Sequence, residues 1–397
     1  MSLLSGPVVF IDDEIHATES EAYQLLEAIN ATGRPVLASS ALPPRDVRSS
    51  WFEHWRSLSF VVLDWDLSPA SLGGVGSSTL SAFNRRDLFD FLVELMNTVY
   101  CPVFIISRED ADDIRRQVAE NSLLLDQSGS VDDRIAVFPK HDLMDNIVGH
   151  LTGKVEGSAA LSVLRTWEQE FEEARNRLFI DFHGIEPDWP VYVWRTAEAD
   201  GVDPAFEVSS LISSNLLSRV NPVAFDGRVV SDPTATPSSA AARKVLHGRT
   251  FLAASRLSAR MVFPGDVFKL PDDPVGQLWI NISPICQTVS RPAKDGSSVK
   301  PIRLHLIRGS KQDVSSKNKF KDLEQKQKGP LGDVVHTFIG DDPYYFEFGH
   351  AVILEWEEIK QCRLGRLLNP YATRLQQKHA AYLQAEGLPR VTFDLYD

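Results

Sequence analysis

A chain of 397 residues, 43% of them hydrophobic, is long enough for two or three domains with cores of their own. No apolar stretch approaches the ~20 residues of a membrane-spanning helix. The opening MSLLSGPVVFIDDE lacks the basic start and cleavage-like tail of a signal peptide, and Cys101, Cys286 and Cys362 follow no metal or disulfide spacing, so a reduced, cytoplasmic protein is expected. The net charge of −13 is uneven, with 23 Asp and Glu against 11 Lys and Arg in residues 1–150 and a locally basic stretch at 291–327. Such asymmetry argues for separate modules with different partners.

The first 150 residues alternate strand and helix. Strands are expected at 8–12 (VVFID), 35–40 (PVLASS), 60–64 (FVVLD), 102–107 (PVFIIS) and 134–138 (RIAVF), and helices at 18–31, 51–58, 82–98, 109–121 and 141–151. Five strands alternating with five helices give a doubly wound, mainly parallel sheet. A longer helix is expected at 154–178, where Leu164, Trp167, Phe171, Ala174 and Leu178 repeat at 3-4-3-4 spacing. That stripe suits core packing or a homodimer through 161–178. Further helices are expected at 204–220 and 238–258. The character then changes: MVFPGDVFKL, QLWINISP, KPIRLHLIRG and YYFEFGHAVILEW are β-rich and suggest a small barrel or sandwich, interrupted by a polar, basic loop at 310–329 and closed by a helix after Pro370. The organisation expected is an α/β domain over 1–152, a helical connector over 153–252, and an α+β output region over 253–397.

The chemistry gathers at the carboxyl ends of the first five strands. The first ends in Asp12-Asp13, the third in Asp64 followed by Asp66, the fourth in Ser107, and Lys140 follows the fifth. In a parallel sheet these ends share one edge, where open α/β sheets place their ligands. Clustered carboxylate oxygens suit a hard cation such as Mg²⁺, which offsets their mutual repulsion. An ionised aspartate beside such a cation can attack a phosphoryl donor, and a hydroxyl at Ser107 and an ammonium at Lys140 would pair with the phosphoryl oxygens.

On these motifs residues 1–152 resemble a two-component response-regulator receiver domain, with its flavodoxin-like five-stranded parallel sheet. IDDE matches the acidic pair, VVLDWDL the phosphoacceptor strand and FIISRED the switch strand. The resemblance implies Asp64 as phosphoacceptor in a phosphorelay, and Mg²⁺ held by Asp12, Asp13, Asp64 and the main-chain carbonyl of Asp66. Ser107 and Lys140 would read the phosphate, a histidine kinase or small phosphodonor would supply it, and a protein partner would receive the output. It implies no enzymatic turnover beyond self-phosphorylation. Two features depart from the pattern. Receivers end the fifth strand in Lys-Pro, whereas this chain has Phe138-Pro139-Lys140, so that either Lys140 reaches back or Phe138 fills the lysine's place and leaves a non-phosphorylated scaffold. The loop after Asp64, SPASLGGVGSSTLSAFNRRD, is also long and rich in Gly and Ser.

Other resemblances compete. The order VVLDWDL, VFIIS, Lys140 and FIGDD (338–342) is similar to haloacid-dehalogenase phosphatases, with Asp64 as nucleophile and Asp66 as acid–base. FPGDVFKL with LWINISP is similar to the opening strands of MazF/PemK-type RNA-cleaving barrels, and the basic 291–327 would suit a phosphate backbone, although no catalytic Arg and Ser/Thr pair stands out. The closing RLGRLLNPYATRLQQKHAAYLQAEGLPR resembles receiver-like proteins of bacterial antiviral defence. Without helix-turn-helix chemistry a DNA-binding output is not favoured.

Overall fold

A computed structural model describes residues 6–67, 77–126, 129–221, 225, 227, 238–289, 300–312, 336–340 and 342–384, with the side chains of 77–83, 336 and 337 left aside. The chain divides into two compact units, Met1–Asp181 with Leu216–Pro233, and Phe182–Asn215 with Thr234–Asp397.

The first unit is built on five parallel strands, β1 (Val8–Ile11), β2 (Val36–Ser39), β3 (Phe60–Asp64), β4 (Val103–Ser107) and β5 (Ile135–Pro139), in the order β2-β1-β3-β4-β5. The inner strands β1, β3 and β4 are buried along their whole length, mostly by large apolar residues, because both faces are covered, whereas β2 and β5 are the edges. Odd-numbered residues, among them Val9, Ile11, Val61, Leu63, Val103 and Ile105, enter one core with Phe91, Leu92 and Leu95 of α3 (Ser77–Thr98). The alternate residues, Val8, Phe10, Phe60, Val62, Phe104 and Ile106, enter the other with Leu25 and Ile29 of α1 (Glu21–Asn30). Leu37 on β2 is exposed, as an edge position allows.

Helix α2 (Arg48–His54) follows β2, and α4 (Ala111–Glu120) follows β4. The carboxylate of Asp110 accepts the amides of Asp112 and Asp113 at 2.8 and 3.2 Å, starting α4 just three residues beyond Ser107. The helix expected at 141–151 is instead two, α5 (Lys140–Leu143) and α6 (Ile147–Glu156), because Asn146 caps a new start by accepting the amide of Gly149 at 3.0 Å. The long helix is α7 (Ala159–Ile185). Its buried face carries Leu161, Arg165, Ala174 and Leu178. Leu164 and Trp167 of the expected stripe are exposed, and Trp167 stacks on Phe171 at 5.0 Å between ring centroids. Buried Arg165 donates to the carbonyl of Leu58 at 3.1 Å, which a purely apolar pattern could not reveal.

The sequence pattern did not mark helix α8 (Trp189–Ala199); α9 (Pro204–Arg219) agrees with it. The helix expected at 238–258 stops at Thr250, and Phe251–Ala253 forms β6. The β-rich region is one antiparallel sheet that adds β7 (Asp266–Phe268), β8 (Gln277–Asn281), β9 (Arg303–Lys311), β10 (His336–Ile339), β11 (Asp342–Glu355) and β12 (Arg363–Leu367). Its order is β10-β11-β9-β8-β7-β12-β6. The edge strands meet at the helix Ser239–Thr250: the amide of Gly340, beyond β10, donates to His247 Nδ1 at 2.9 Å, and the Thr250 hydroxyl lies 3.4 Å from the carbonyl of Phe338. The sheet therefore nearly closes on itself, around Val267, Leu278, Ile280, Ile307, Phe346 and Leu367. Most of the basic loop expected at 310–329 lies outside the described residues.

Gly265 opens β7 at φ +89, and a Cβ there would stand 2.5 Å from the carbonyl oxygen of Leu367. Gly265→Ala combines left-handed strain with a main-chain clash and is expected to cost about 2 kcal/mol or more. Thermal unfolding should show a lower transition, and an unchanged one would contradict this packing.

Candidate functional site

The strand order reverses between β1 and β3, the position at which an open sheet leaves a crevice beyond its carboxyl ends. Register sets what reaches it. Ile11 pairs with Leu63, Asp64 with Ile106, Ile106 with Phe138, and Ser107 with Pro139. Asp12 and Asp64 are consequently level on adjacent strands, with Ser107 one residue further and Lys140 two.

The acidic residues converge. One carboxylate oxygen from each of Asp12, Asp13 and Asp64 lies within 4.8 Å of the others. Asp12 and Asp64 are buried and Asp13 is half-buried. Lys140, also buried, places its Nζ 2.7 Å from Asp12 Oδ2 and 3.2 Å from Asp64 Oδ1. Position 140 can serve the site because it opens α5 directly beyond the carboxyl end of β5, at the sheet edge where Asp12 and Asp64 lie. The four-carbon stem covers the extra distance. Phe138, half-buried, packs against the core, 6.2 Å from Phe104 between ring centroids. Ser107 is buried on β4, and its Oγ accepts the amide of Glu109 at 2.9 Å, leaving the hydroxyl proton to donate. Asp66 is exposed just past β3.

The electrostatics follow from burial. Burial, then the charge of Asp12, raises Asp64 to about 7 against the opposing ammonium of Lys140. Asp13 is raised to about 6 by burial, then by Asp12 and Glu14. Burial alone would lower Lys140, but the carboxylates of Asp64 and Asp12 outweigh it and hold the ammonium above its ordinary value. One ammonium thus faces three carboxylates. Asp12 Oδ1 accepts the amide of Glu14 at 2.9 Å, whereas Oδ2 has the lysine charge nearby but no hydrogen bond of good geometry among the described residues. A buried carboxylate oxygen of this kind, with two further carboxylates within reach, is a donor set that fits Mg²⁺.

Charged residues that the motifs did not single out surround the crevice. Arg108, next to Ser107, donates to both carboxylate oxygens of Glu14 at 2.9 and 2.7 Å and to Glu21 of α1 at 2.8 Å. Since β3 lies between β1 and β4, this clasp joins the loops on either side of Asp64. Its hydrogen bonds hold the Glu14 carboxyl below the usual range. Arg85 of α3 donates to the carbonyl of Trp65 at 3.1 Å and lies 4.2 Å from the Trp65 ring centroid, bracing the turn after Asp64. Only the charges of IDDE and SRED hinted at the clasp, because its partners are 94 residues apart. Residues 68–76 of the Gly- and Ser-rich loop lie outside the described residues. Of the acidic pair in FIGDD, Asp341 also lies outside them, and Asp342 pairs with Lys311 at 2.7 Å in the second unit.

No family model, curated protein or solved structure matches this chain. No helix among the described residues is long and apolar enough to cross a membrane.

A pH dependence follows from the raised carboxylates. Their folded-state values of about 7 and about 6 exceed the ordinary 3.8, so their contribution to stability is full below about pH 4 and is lost as pH rises through those values. Mg²⁺, binding the ionised carboxylates, should therefore raise Tm by several degrees at pH 8 and much less at pH 5.5. Without metal at pH 8, Asp64→Asn should raise stability by on the order of 1–3 kcal/mol. Equal Mg²⁺ shifts at both pH values, or a destabilised Asp64→Asn, would contradict the charge balance drawn here.

Proposed function

We propose that the N-terminal unit is a receiver-like, flavodoxin-like phosphoacceptor domain in which Asp64 takes a phosphoryl group and thereby controls an interaction of the protein. The observation that carries this reading is the meeting of Asp12, Asp13 and Asp64 with the single buried ammonium of Lys140 at one sheet edge. An acidic crevice of this composition has little use for an anion unless cations offset its charge, and Lys140 supplies one of them. Mg²⁺, held by Asp12, Asp13 and Asp64 with the Asp66 carbonyl, would supply the remaining positive charge and draw in the donor's phosphoryl oxygens.

In the transfer an ionised Asp64 oxygen attacks phosphorus, the bond from phosphorus to the donor's leaving oxygen breaks, and that oxygen departs as acetate when acetyl phosphate is the donor. Lys140 pairs with a phosphoryl oxygen, and Ser107 turns its proton toward another. Lys140 is then drawn from Asp12, which alters how β5 and the start of α5 are held. The face beside them is already a recess of about 420 Å³ whose lining includes Arg115, Val118, Ile135, Phe138 and Lys154. That recess is the surface we assign to the output partner. The competing scaffold reading, with no phosphorylation, draws on the Arg108 clasp, which joins the loops flanking Asp64 without any ligand.

Intact mass after incubation with acetyl phosphate and Mg²⁺ tests the proposal. A single phosphoryl adduct is expected that requires Mg²⁺, disappears in Asp64→Asn and falls at least tenfold in rate in Lys140→Ala. Arg108→Ala should speed adduct formation about threefold to tenfold by freeing the crevice of a clasp worth about 1 kcal/mol. No adduct with either acetyl phosphate or phosphoramidate, and no Tm response to beryllofluoride with Mg²⁺, would establish the scaffold reading instead.

A further inference from the structure

The second unit holds a cavity of about 750 Å³ between the ends of β8 and β12 and the helix Tyr371–Leu383. Its size falls within the range of small-molecule sites. Its lining includes apolar Ile282, Leu367 and Leu383. It also includes the side chains of Arg366, His305 and His379, the last two close enough to interact electrostatically. Acidic residues outnumber basic ones 54 to 41 in the chain, yet none of the described lining residues is Asp or Glu.

The positive charge is built in. Asp266, fully buried at the start of β7, is shared by two guanidinium groups, those of Arg363 and Arg366. One carboxylate against two cations leaves a net positive charge next to the cavity. Arg363 cannot supply it, because its terminal nitrogens are engaged by the carbonyls of Met261 at 2.7 Å and Ser258 at 2.6 Å. Arg366 binds Asp266 through Nε, its guanidinium lies 4.3 Å from the Phe263 ring centroid, and its terminal nitrogens have no partner among the described residues. A buried carboxylate and an aromatic face therefore fix the fork of this lining residue through Nε and leave its terminal nitrogens as donors, the arrangement that suits bidentate recognition of an oxyanion. His305 is exposed at the rim, and burial, then the charge of His305, lowers His379. Asn369 accepts the Thr373 hydroxyl at 2.9 Å through Oδ1, so its amide nitrogen remains a donor.

We propose that this cavity binds a nucleoside monophosphate, its phosphate at Arg366, His305 and His379 and its base against the apolar lining and the Asn369 amide. Phosphate is favoured over carboxylate because three donor side chains match three oxygens, and a nucleotide over free phosphate because the apolar lining needs an organic body to cover it. This site is separate from the acidic crevice, and the inference does not rest on phosphoacceptance by Asp64.

Isothermal titration of the full-length protein with each of the four ribonucleoside 5′-monophosphates tests it, with inorganic phosphate as the headgroup alone. At least one nucleotide is expected to bind saturably with Kd below about 1 mM, and phosphate at least tenfold more weakly. His305→Ala, at an exposed position, should weaken that nucleotide about fivefold, and Arg366→Lys, which keeps the charge beside Asp266 but loses the fork, tenfold or more. Should Arg366→Lys fail to fold, His305→Ala decides. No saturable binding of any nucleotide up to about 10 mM, phosphate binding as tightly as every nucleotide, or an affinity unchanged by the variants would overturn the assignment.

Discussion

The N-terminal unit is organised around the contact of one lysine with two aspartates. Asp12 and Asp64 lie level with each other at the ends of adjacent strands, where burial and the charge of Asp12 both oppose ionisation of Asp64. Lys140 Nζ, within 3.2 Å of both, opposes that effect and offsets part of the negative charge gathered there. The parallel sheet is what permits this, since it delivers side chains 128 residues apart in sequence to one edge, and its two apolar cores hold the strands in the register that the contact needs.

Much of this was legible in the sequence, and its limits have physical causes. Doubly apolar runs such as FVVLD marked strands covered on both faces, and the aspartates after them marked the edge. The sequence left open whether Lys140 could act from beyond Pro139. The strand ends at Pro139 and α5 starts at Lys140, so Phe138 packs half-buried against the core while Lys140, at the turn into the helix, reaches the carboxylates. The α7 stripe misled because spacing alone does not say which face is covered. Buried Arg165 belongs to that face, while Trp167 is on the outside. The end of the helix at Thr250 was hidden because Phe251–Ala253 is too short a strand to carry a periodic signal and is defined by pairing with β12.

The two units handle buried charge in opposite ways. In the first, carboxylates outnumber the ammonium and the excess is negative, which suits a divalent cation. In the second, Asp266 is outnumbered by Arg363 and Arg366 and the excess is positive, which suits an anion. Neither balance is visible in composition, which reports only that the first 150 residues are acidic and the remainder near neutral.

Phosphoacceptance at Asp64 is tested most directly by locating the modified residue. After reaction with acetyl phosphate and Mg²⁺, borohydride reduction converts an aspartyl phosphate to homoserine, and tandem mass spectrometry reads where it formed. The expected result is homoserine at position 64 and at no other aspartate, absent when Mg²⁺ is chelated. Homoserine at Asp12, Asp13 or elsewhere, or none under conditions that convert a known phosphoacceptor, would contradict the account.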